Sequence, residues 1–173
     1  PHHLQLLVDW TQGLEWDWCI SRQRVWGIPL PFWSCADCDK IYLPEEKELP
    51  VDPAGRQYPH KRKCDCGGEI VGEASICDGW VDSSITPLVV SKWLDDDKLF
   101  KRLYPTALRP QGTDIIRTWA FYTIFRCNAL TGQPPFREML VNGMVLGSDG
   151  KKMSKSAGNY IEAKDVIAKS SVD

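Results

Sequence analysis

Two close cysteine pairs, Cys35-Ala36-Asp37-Cys38 and Cys64-Asp65-Cys66, stand 25 residues apart in a stretch that holds little else to build a core from. Residues 33–72 carry acidic Glu45-Glu46, basic Lys61-Arg62-Lys63 and few apolar side chains. Such a segment does not fold by burial alone, whereas thiolate–metal bonds supply folding free energy directly. Four thiolates suit tetrahedral zinc, and a closed four-cysteine site is structural, because no coordination position is left for a substrate. Cys35, Cys38, Cys64 and Cys66 are therefore the candidate ligands of a zinc-ribbon insertion. The second pair has one intervening residue where such ribbons usually have two, so either the knuckle is tighter or His60 replaces one thiolate. The bland alternative is four free cysteines. The other three of the seven cysteines, Cys19, Cys77 and Cys127, are single and lie in apolar sequence. Together these read as a metal site plus three buried thiols in a reducing cytoplasm, not as a disulfide framework.

Either side of this insertion the composition is that of an ordinary soluble domain, 43% hydrophobic and 25% charged over 173 residues. No apolar run approaches the roughly 20 residues of a membrane span, and no signal-peptide pattern opens the chain. A formal charge of −2 gives no support to nucleic-acid binding beyond a local basic patch or other parts of a larger protein. Eight tryptophans are many for this length, and they imply an aromatic core or flat ligands; Trp10, Trp16 and Trp93 read as core. Residues 4–18 have the apolar spacing of an amphipathic helix interrupted near Gly13, and 19–29 read as a short buried strand and a turn. Residues 103–108 read as a strand ending in the turn Arg109-Pro110-Gln111-Gly112. Thr113 is then a plausible N-cap and Asp114 a first-turn residue of a helix running to about Leu130. That helix is apolar nearly all round, which predicts burial on more than one side. Residues 139–146 read as a second strand. Strand, helix, strand is the unit of a parallel sheet, whose ligands sit at the carboxyl ends of the strands. Both ends here carry glycine and polar groups, Gln111-Gly112-Thr113-Asp114 and Gly147-Ser148-Asp149-Gly150.

The sharpest signal follows the second strand: Lys152-Met153-Ser154-Lys155-Ser156, flanked by Gly147, Gly150 and Gly158. Two lysines three apart in a glycine-flanked loop can converge on one anionic group. The serines offer hydroxyls for hydrogen bonds, or for capping a helix beginning near Glu162. A generic lysine–serine loop is more often a solvated turn. These five residues, however, match letter for letter the signature loop of the class I aminoacyl-tRNA synthetases, and the setting, Asp149-Gly150-Lys151 before it and Ala157-Gly158-Asn159 after it, resembles theirs as well.

The resemblance implies an α/β fold, the second half of a split Rossmann-like parallel-sheet nucleotide-binding domain. Residues 1–32 would be a catalytic-domain segment, 33–72 the zinc ribbon, and 73–173 the C-terminal half of the catalytic domain. It implies ATP-dependent activation of an amino acid, whose carboxylate attacks the α-phosphate in line while the loop closes over ATP and its Mg2+. By resemblance Lys152 and Lys155 supply positive charge to the transition state, and Lys155 is the stronger candidate. Gly112 and Asp114 hold the adenosine ribose, and Met153 lies against the adenine, with Val145, Ser154 and Ser156 completing the ATP site. Read alone, Asp114 is a good first-turn helix residue. Asp78-Gly79-Trp80-Val81-Asp82-Ser83-Ser84 resembles a segment whose tryptophan walls the amino acid pocket, a role that falls to Trp80, with Ile115 and Trp119 as further candidates. Residues 21–29, Ser-Arg-Gln-Arg-Val-Trp-Gly-Ile-Pro, resemble the segment that precedes the ribbon in the valine, isoleucine and leucine enzymes; Arg22 and Gln23 could line the site without an assignable role.

Residues 81–159 most resemble the archaeal valine enzymes, with the isoleucine enzymes as runner-up. Valine, ATP and tRNA(Val) are the implied substrates, the cytoplasm the implied location, and no membrane or obligate protein partner is expected. The sequence contains no His-Ile-Gly-His type turn, so the expectation is an incomplete catalytic unit, without editing and anticodon-binding domains and inactive by itself. A reading from another class is a stand-alone zinc-ribbon module that binds RNA or protein. That would need a basic face and a complete small fold, and it would leave the lysine loop and the apolar helix without purpose.

Overall fold

The computed structural model describes residues 2–170. The elements in chain order are α1 (His2–Gln12), β1 (Ser21–Arg22), β2 (Trp33–Cys35), β3 (Ile41–Tyr42), β4 (Ile70–Gly72), β5 (Ile76–Cys77), α2 (Gly79–Ser83), α3 (Thr86–Val90), α4 (Asp97–Leu103), β6 (Thr106–Gly112), α5 (Phe121–Thr131), β7 (Phe136–Asn142) and α6 (Ala163–Lys169). The strands form an antiparallel pair β1–β5, an antiparallel sheet β3–β2–β4, and a parallel pair β6–β7.

The parallel pair carries the candidate site. It is in register from Thr106 opposite Phe136 to Gly112 opposite Asn142, so both strands end on the same side of the molecule. Its boundaries differ from the sequence reading. Leu103 closes α4, whose N-cap Asp96 accepts the N–H groups of Lys98 and Leu99, both at 3.0 Å. Arg109, Pro110 and Gln111, read as a turn, are paired strand residues opposite Met139, Leu140 and Val141. Proline is tolerated there because β6 has a neighbour on only one side among the described residues, so its missing N–H leaves no ladder gap. β7 begins and ends earlier than expected, and Met144, Val145 and Leu146 lie beyond it and exposed.

The crossover helix is built in three pieces. A 3-10 turn (Thr113–Ile115) with Gly112, not Thr113, as its N-cap leads into a π turn (Ile116–Ala120) and then α5. Gly132 ends it at φ +73°, a left-handed cap that glycine adopts without steric cost. Ile116, Trp119, Ala120, Thr123 and Cys127 are buried, but Phe125 and Leu130 are exposed, so the described residues cover less of the helix than its all-round apolarity predicts. Arg126 ties α5 to α2 by donating to the Val81 carbonyl and to Ser84 Oγ. Leu88, Tyr104 and Cys127 form the core beneath, packed by Ile85, Trp93 and Phe100.

Other differences are local. α1 stops at Gln12, where the Gly13 N–H returns to the Asp9 carbonyl, and Trp16 is 65% exposed instead of core. Residues 19–29 hold only the two-residue β1, half-buried, with Val25 and Trp26 in solvent. Cys127 is buried as expected, Cys77 is half-buried and Cys19 is exposed, because the chain around Cys19 runs over the surface. The β3–β2–β4 sheet also has a small aromatic core of its own: Trp33, Cys35, Cys64 and Ile70, with Tyr42, Val51 and Tyr58 against it. No described helix is long and apolar enough to cross a membrane.

Candidate active site and metal centre

The carboxyl ends of β6 and β7 bring the ribose-segment candidates and the lysine loop together. Asp114 follows β6 by two residues, and its carboxylate lies 3.6 Å from the Lys152 ammonium in the loop after β7. Gly112 allows this arrangement, since a Cβ placed there would lie 2.6 Å from Asp114 Oδ1. The Asp114 side chain thus folds back over the strand end, with its carboxylate facing the loop. The loop itself is a tight structure. Leu146 bridges to Lys152, Gly147 N–H donates to the Lys151 carbonyl at 2.9 Å, and Gly150 turns the chain at φ +71°. Met153 and Ser154 are partly buried. Ser154 and Ser156 share a hydrogen bond of 2.7 Å, so their hydroxyls serve each other, and Glu162, at the N-cap of α6, has no side-chain cap bond. The Lys155 ammonium lies 5.6 Å from the Tyr160 ring centre and is exposed, as is Val145.

Trp80 lies in a separate cleft of about 700 Å³, with Arg22, Arg24, Trp26, Ile76 and Asp78 among its walls. Asp78 fixes the entry to α2: its carboxylate accepts the Trp80 N–H at 2.7 Å and pairs with the Arg22 guanidinium. Arg22 also donates to the carbonyls of Cys19 and Ser21, so this arginine, without an assignable role in the sequence, anchors the segment that approaches Trp80. Ile115 and Trp119 do not line that cleft. Trp119 is buried in the π turn, donates its indole N–H to the Ser83 carbonyl at 3.1 Å, stacks on Phe136 and carries the Arg109 guanidinium 4.1 Å from its ring centre. Ile115 is half-buried in the 3-10 turn.

Sequence reasoning assigns no role to Gln111, which is 6% exposed at the end of β6 with its side-chain carbonyl unpaired among the described residues. Nor does it assign one to Asp149 and Asn159, which hold the neck of the lysine loop. The signal available in each case was a polar side chain beside a glycine, at the end of β6 for Gln111 and within the loop for Asp149 and Asn159.

At the end of β2 and in the turns beside it, the sulfurs of Cys35, Cys38, Cys64 and Cys66 all lie within 4.8 Å of one another, and Cys35–Cys66 and Cys38–Cys64 are each 3.5 Å apart. A tetrahedron of thiolates about 2.3 Å from zinc has edges of about 3.8 Å, so the donor set fits the ion. Gly68 makes room for it: a Cβ there would lie 2.7 Å from Cys35 Sγ and 2.6 Å from Asp37 Oδ2. His60 is not in the cluster. Its Nε2 meets Glu48 Oε2 at 2.9 Å, and that hydrogen bond is the main reason the Glu48 carboxyl titrates below its ordinary range. The single residue between Cys64 and Cys66 is Asp65, whose carboxylate binds Lys40 at 2.7 Å and also Lys61. These bonds hold its carboxyl down to about 2 and brace the tight knuckle from outside.

Among known proteins, the family model of class I tRNA synthetases (I, L, M and V) matches residues 5–173. The valine–tRNA ligase of Methanocaldococcus jannaschii is 50% identical over all of this chain and 20% of its own length. That of Thermococcus kodakarensis is 53% identical, again over all of this chain and 20% of its own. The chain therefore spans about a fifth of these relatives. In structure it resembles the LeuRS of Agrobacterium radiobacter, solved as a ternary complex with tRNA and LeuAMS, with a TM-score of 0.68, 26% identity, and coverage of 95% of this chain and 25% of that one. The Mycobacterium tuberculosis methionyl-tRNA synthetase bound by methionyl-adenylate shares the fold at a TM-score of 0.61 and 22% identity, over 98% of this chain and 26% of its own. A parallel α/β unit with this loop at its strand ends, matched by the family model almost from end to end, belongs to the class I tRNA synthetases of the isoleucine, leucine, methionine and valine group.

Proposed function

We propose that this chain is the C-terminal half of the split Rossmann-like catalytic domain of a valine–tRNA ligase, with a zinc ribbon inserted in it. In this reading ATP, with its Mg2+, binds at the carboxyl ends of β6 and β7, valine is activated to the adenylate, and the valyl group passes to tRNA(Val) in the cytoplasm. The observation that carries the reading is the meeting of Lys152 and Asp114 at 3.6 Å, because it joins a phosphate-binding cation and a sugar-binding carboxylate at one strand end. Asp114 accepts the vicinal ribose hydroxyls, and Gly112 lets the sugar approach the backbone. Lys152, released from Asp114, and Lys155 meet charge developing on the phosphates. The enzyme forms no covalent bond to the substrates in this scheme; it positions them and stabilises the transition state. Trp80 walls the valine pocket, and Ile115, in the 3-10 turn, and Trp119, in the π turn, are further candidates for it. Val145, Met153, Ser154 and Ser156 complete the ATP site. Cys35, Cys38, Cys64 and Cys66 would hold zinc, which supplies a structural crosslink and takes no part in the reaction.

The test is ATP–pyrophosphate exchange by the full-length protein carrying these residues, with valine and isoleucine as alternatives. Valine preference is expected. Preference for isoleucine would keep the mechanism and change the substrate, since one methylene in an apolar pocket is worth only about 1–3 kcal/mol. Exchange with neither would overturn the reading. The 173-residue chain alone is expected to give none.

Gly112→Ala provides a second check. The added Cβ occupies the space of the Asp114 carboxylate, so the KM for ATP is expected to rise about tenfold, roughly 1.4 kcal/mol, with the KM for valine unchanged. An unchanged ATP KM would show that the Asp114 orientation does not matter.

A further inference from the structure

We propose that Asn159, clasped to Asp149, is a positioning residue that closes the neck of the lysine loop and fixes the backbone from which Lys152 reaches Asp114. The inference rests on the reading of that loop as part of an ATP site. Asn159 stands at one side of the neck and Asp149 at the other. The Asn159 side-chain carbonyl accepts the Ser154 N–H at 2.9 Å. Its amide nitrogen faces three acceptors: both Asp149 carboxylate oxygens and the Lys152 carbonyl, each at 3.2 Å. This settles which way the amide points, because the flipped group would set its oxygen against a carboxylate and its nitrogen against an N–H. Asp149 also accepts the Lys151 N–H at 3.0 Å. One asparagine thus holds the carbonyl before Met153 and the N–H after it, the two ends of the segment that carries the lysine.

Gly147 forms the floor of the clasp. A Cβ there would lie 2.9 Å from Asp149 Oδ1, 3.0 Å from the Asn159 carbonyl and 3.1 Å from Asn159 Nδ2, so a side chain would force the two residues apart. The Asp149 carboxyl titrates below its ordinary range, first through the Lys151 N–H and then through Asn159, so the acceptor stays charged near neutral pH. Neither residue touches a reacting group in this arrangement. Their effect is on the placement of Lys152, and a misplacement of about 1 Å costs on the order of 100-fold in rate.

The experiment compares the full-length protein with Asn159→Asp and with the swapped pair Asp149→Asn/Asn159→Asp. Asn159→Asp keeps the acceptor for Ser154 but places two carboxylates together and strips the Lys152 carbonyl of its donor. In the swapped pair the amide stands at position 149 and the carboxylate at position 159, so a donor and an acceptor again face each other across the neck. Two readouts are taken: valine-dependent ATP–pyrophosphate exchange, and trypsin cleavage after Lys151, Lys152 and Lys155 in the ligand-free protein. For Asn159→Asp the expected result is a kcat lower by about 10- to 100-fold with the valine KM within about twofold, and faster cleavage in the loop. The swapped pair restores the bond across the neck but not the donor to the Lys152 carbonyl, so it is expected to recover part of both losses, a coupling that residues acting independently do not give. Unchanged cleavage and rate in Asn159→Asp, or a double variant no better than the single one, would overturn the clasp. Absence of exchange activity in the parent would instead count against the synthetase reading, and the cleavage rates alone would then decide the clasp.

Discussion

Replacing Lys152 by alanine in the full-length protein is expected to lower valine-dependent ATP–pyrophosphate exchange by about 100- to 1,000-fold while leaving the melting temperature within about a degree. The two halves of this expectation have separate causes. Lys152 is 67% exposed and Asp114 41%, so their solvent-screened ion pair contributes at most about 1 kcal/mol to folding. The same weakness suits the proposed role, in which ATP breaks the pair at little cost, the ribose taking Asp114 and the phosphates taking the ammonium. On the proposed reading, that ammonium would face a charge that grows as pyrophosphate leaves a water-excluded site, where its contribution would be several-fold larger. A fall in kcat with little change in the KM for valine is the signature of an interaction made mainly in the transition state. Lys155, resting near Tyr160, is expected to show a loss of the same order through Lys155→Ala. Rates within twofold of the parent for both variants would exclude the loop from the chemistry.

Loss of the metal is expected to have the largest structural effect. Structural zinc in four-ligand peptides contributes about 10–16 kcal/mol of apparent binding free energy. The sheet that carries the cysteines has only a small core besides, centred on Trp33, which is 1% exposed. Metal analysis is expected to find one zinc per chain. Chelation, or Cys35→Ser, is expected to expose Trp33 and red-shift its fluorescence. Unfolding should stop at the root of the sheet. There Glu73 N–H donates to the Phe32 carbonyl at 3.0 Å, Leu30 N–H to Ser75 at 3.2 Å and Cys77 N–H to Ile28 at 2.7 Å, none of which depends on the thiolates. The cluster of Leu88, Tyr104 and Cys127 shares no residue with the ribbon core and should stay protected in hydrogen exchange. A protein that carries no zinc, or that loses both clusters in one transition on chelation, would contradict this.

The cysteine quartet and the lysine loop are legible in the sequence because each is a local spacing, and so is the succession of strand, helix and strand. The choice between Cys64 and His60 is not, because it depends on Glu48, twelve residues from His60, which takes the imidazole into a pair outside the cysteine cluster. The extent of β6 is hidden for a related reason. Pro110 reads as a strand breaker, and it is only the sheet's open side that makes it harmless. Trp119, a pocket candidate by resemblance, is packed between Phe136 and Arg109, and Trp16, expected in the core, is 65% exposed. Asn159 shows the limit most clearly. Its sequence neighbourhood resembles the family's, yet its four partners appear only when the chain folds back on Asp149 and Lys152.

The root of the ribbon has a consequence for how such a domain can change. The chain leaves at Phe32 and returns at Glu73, and those two residues are hydrogen-bonded to each other. The whole stretch between them therefore enters and exits through one doorway, and its length is nearly invisible to the rest of the fold, since doubling a loop adds only about 0.6 kcal/mol of closure entropy. A tight hairpin spliced across that doorway should leave β1, β5 and the strands beyond undisturbed. The domain can thus lose, enlarge or trade its four-cysteine module as a cartridge, keeping the frame of β6, β7 and α5.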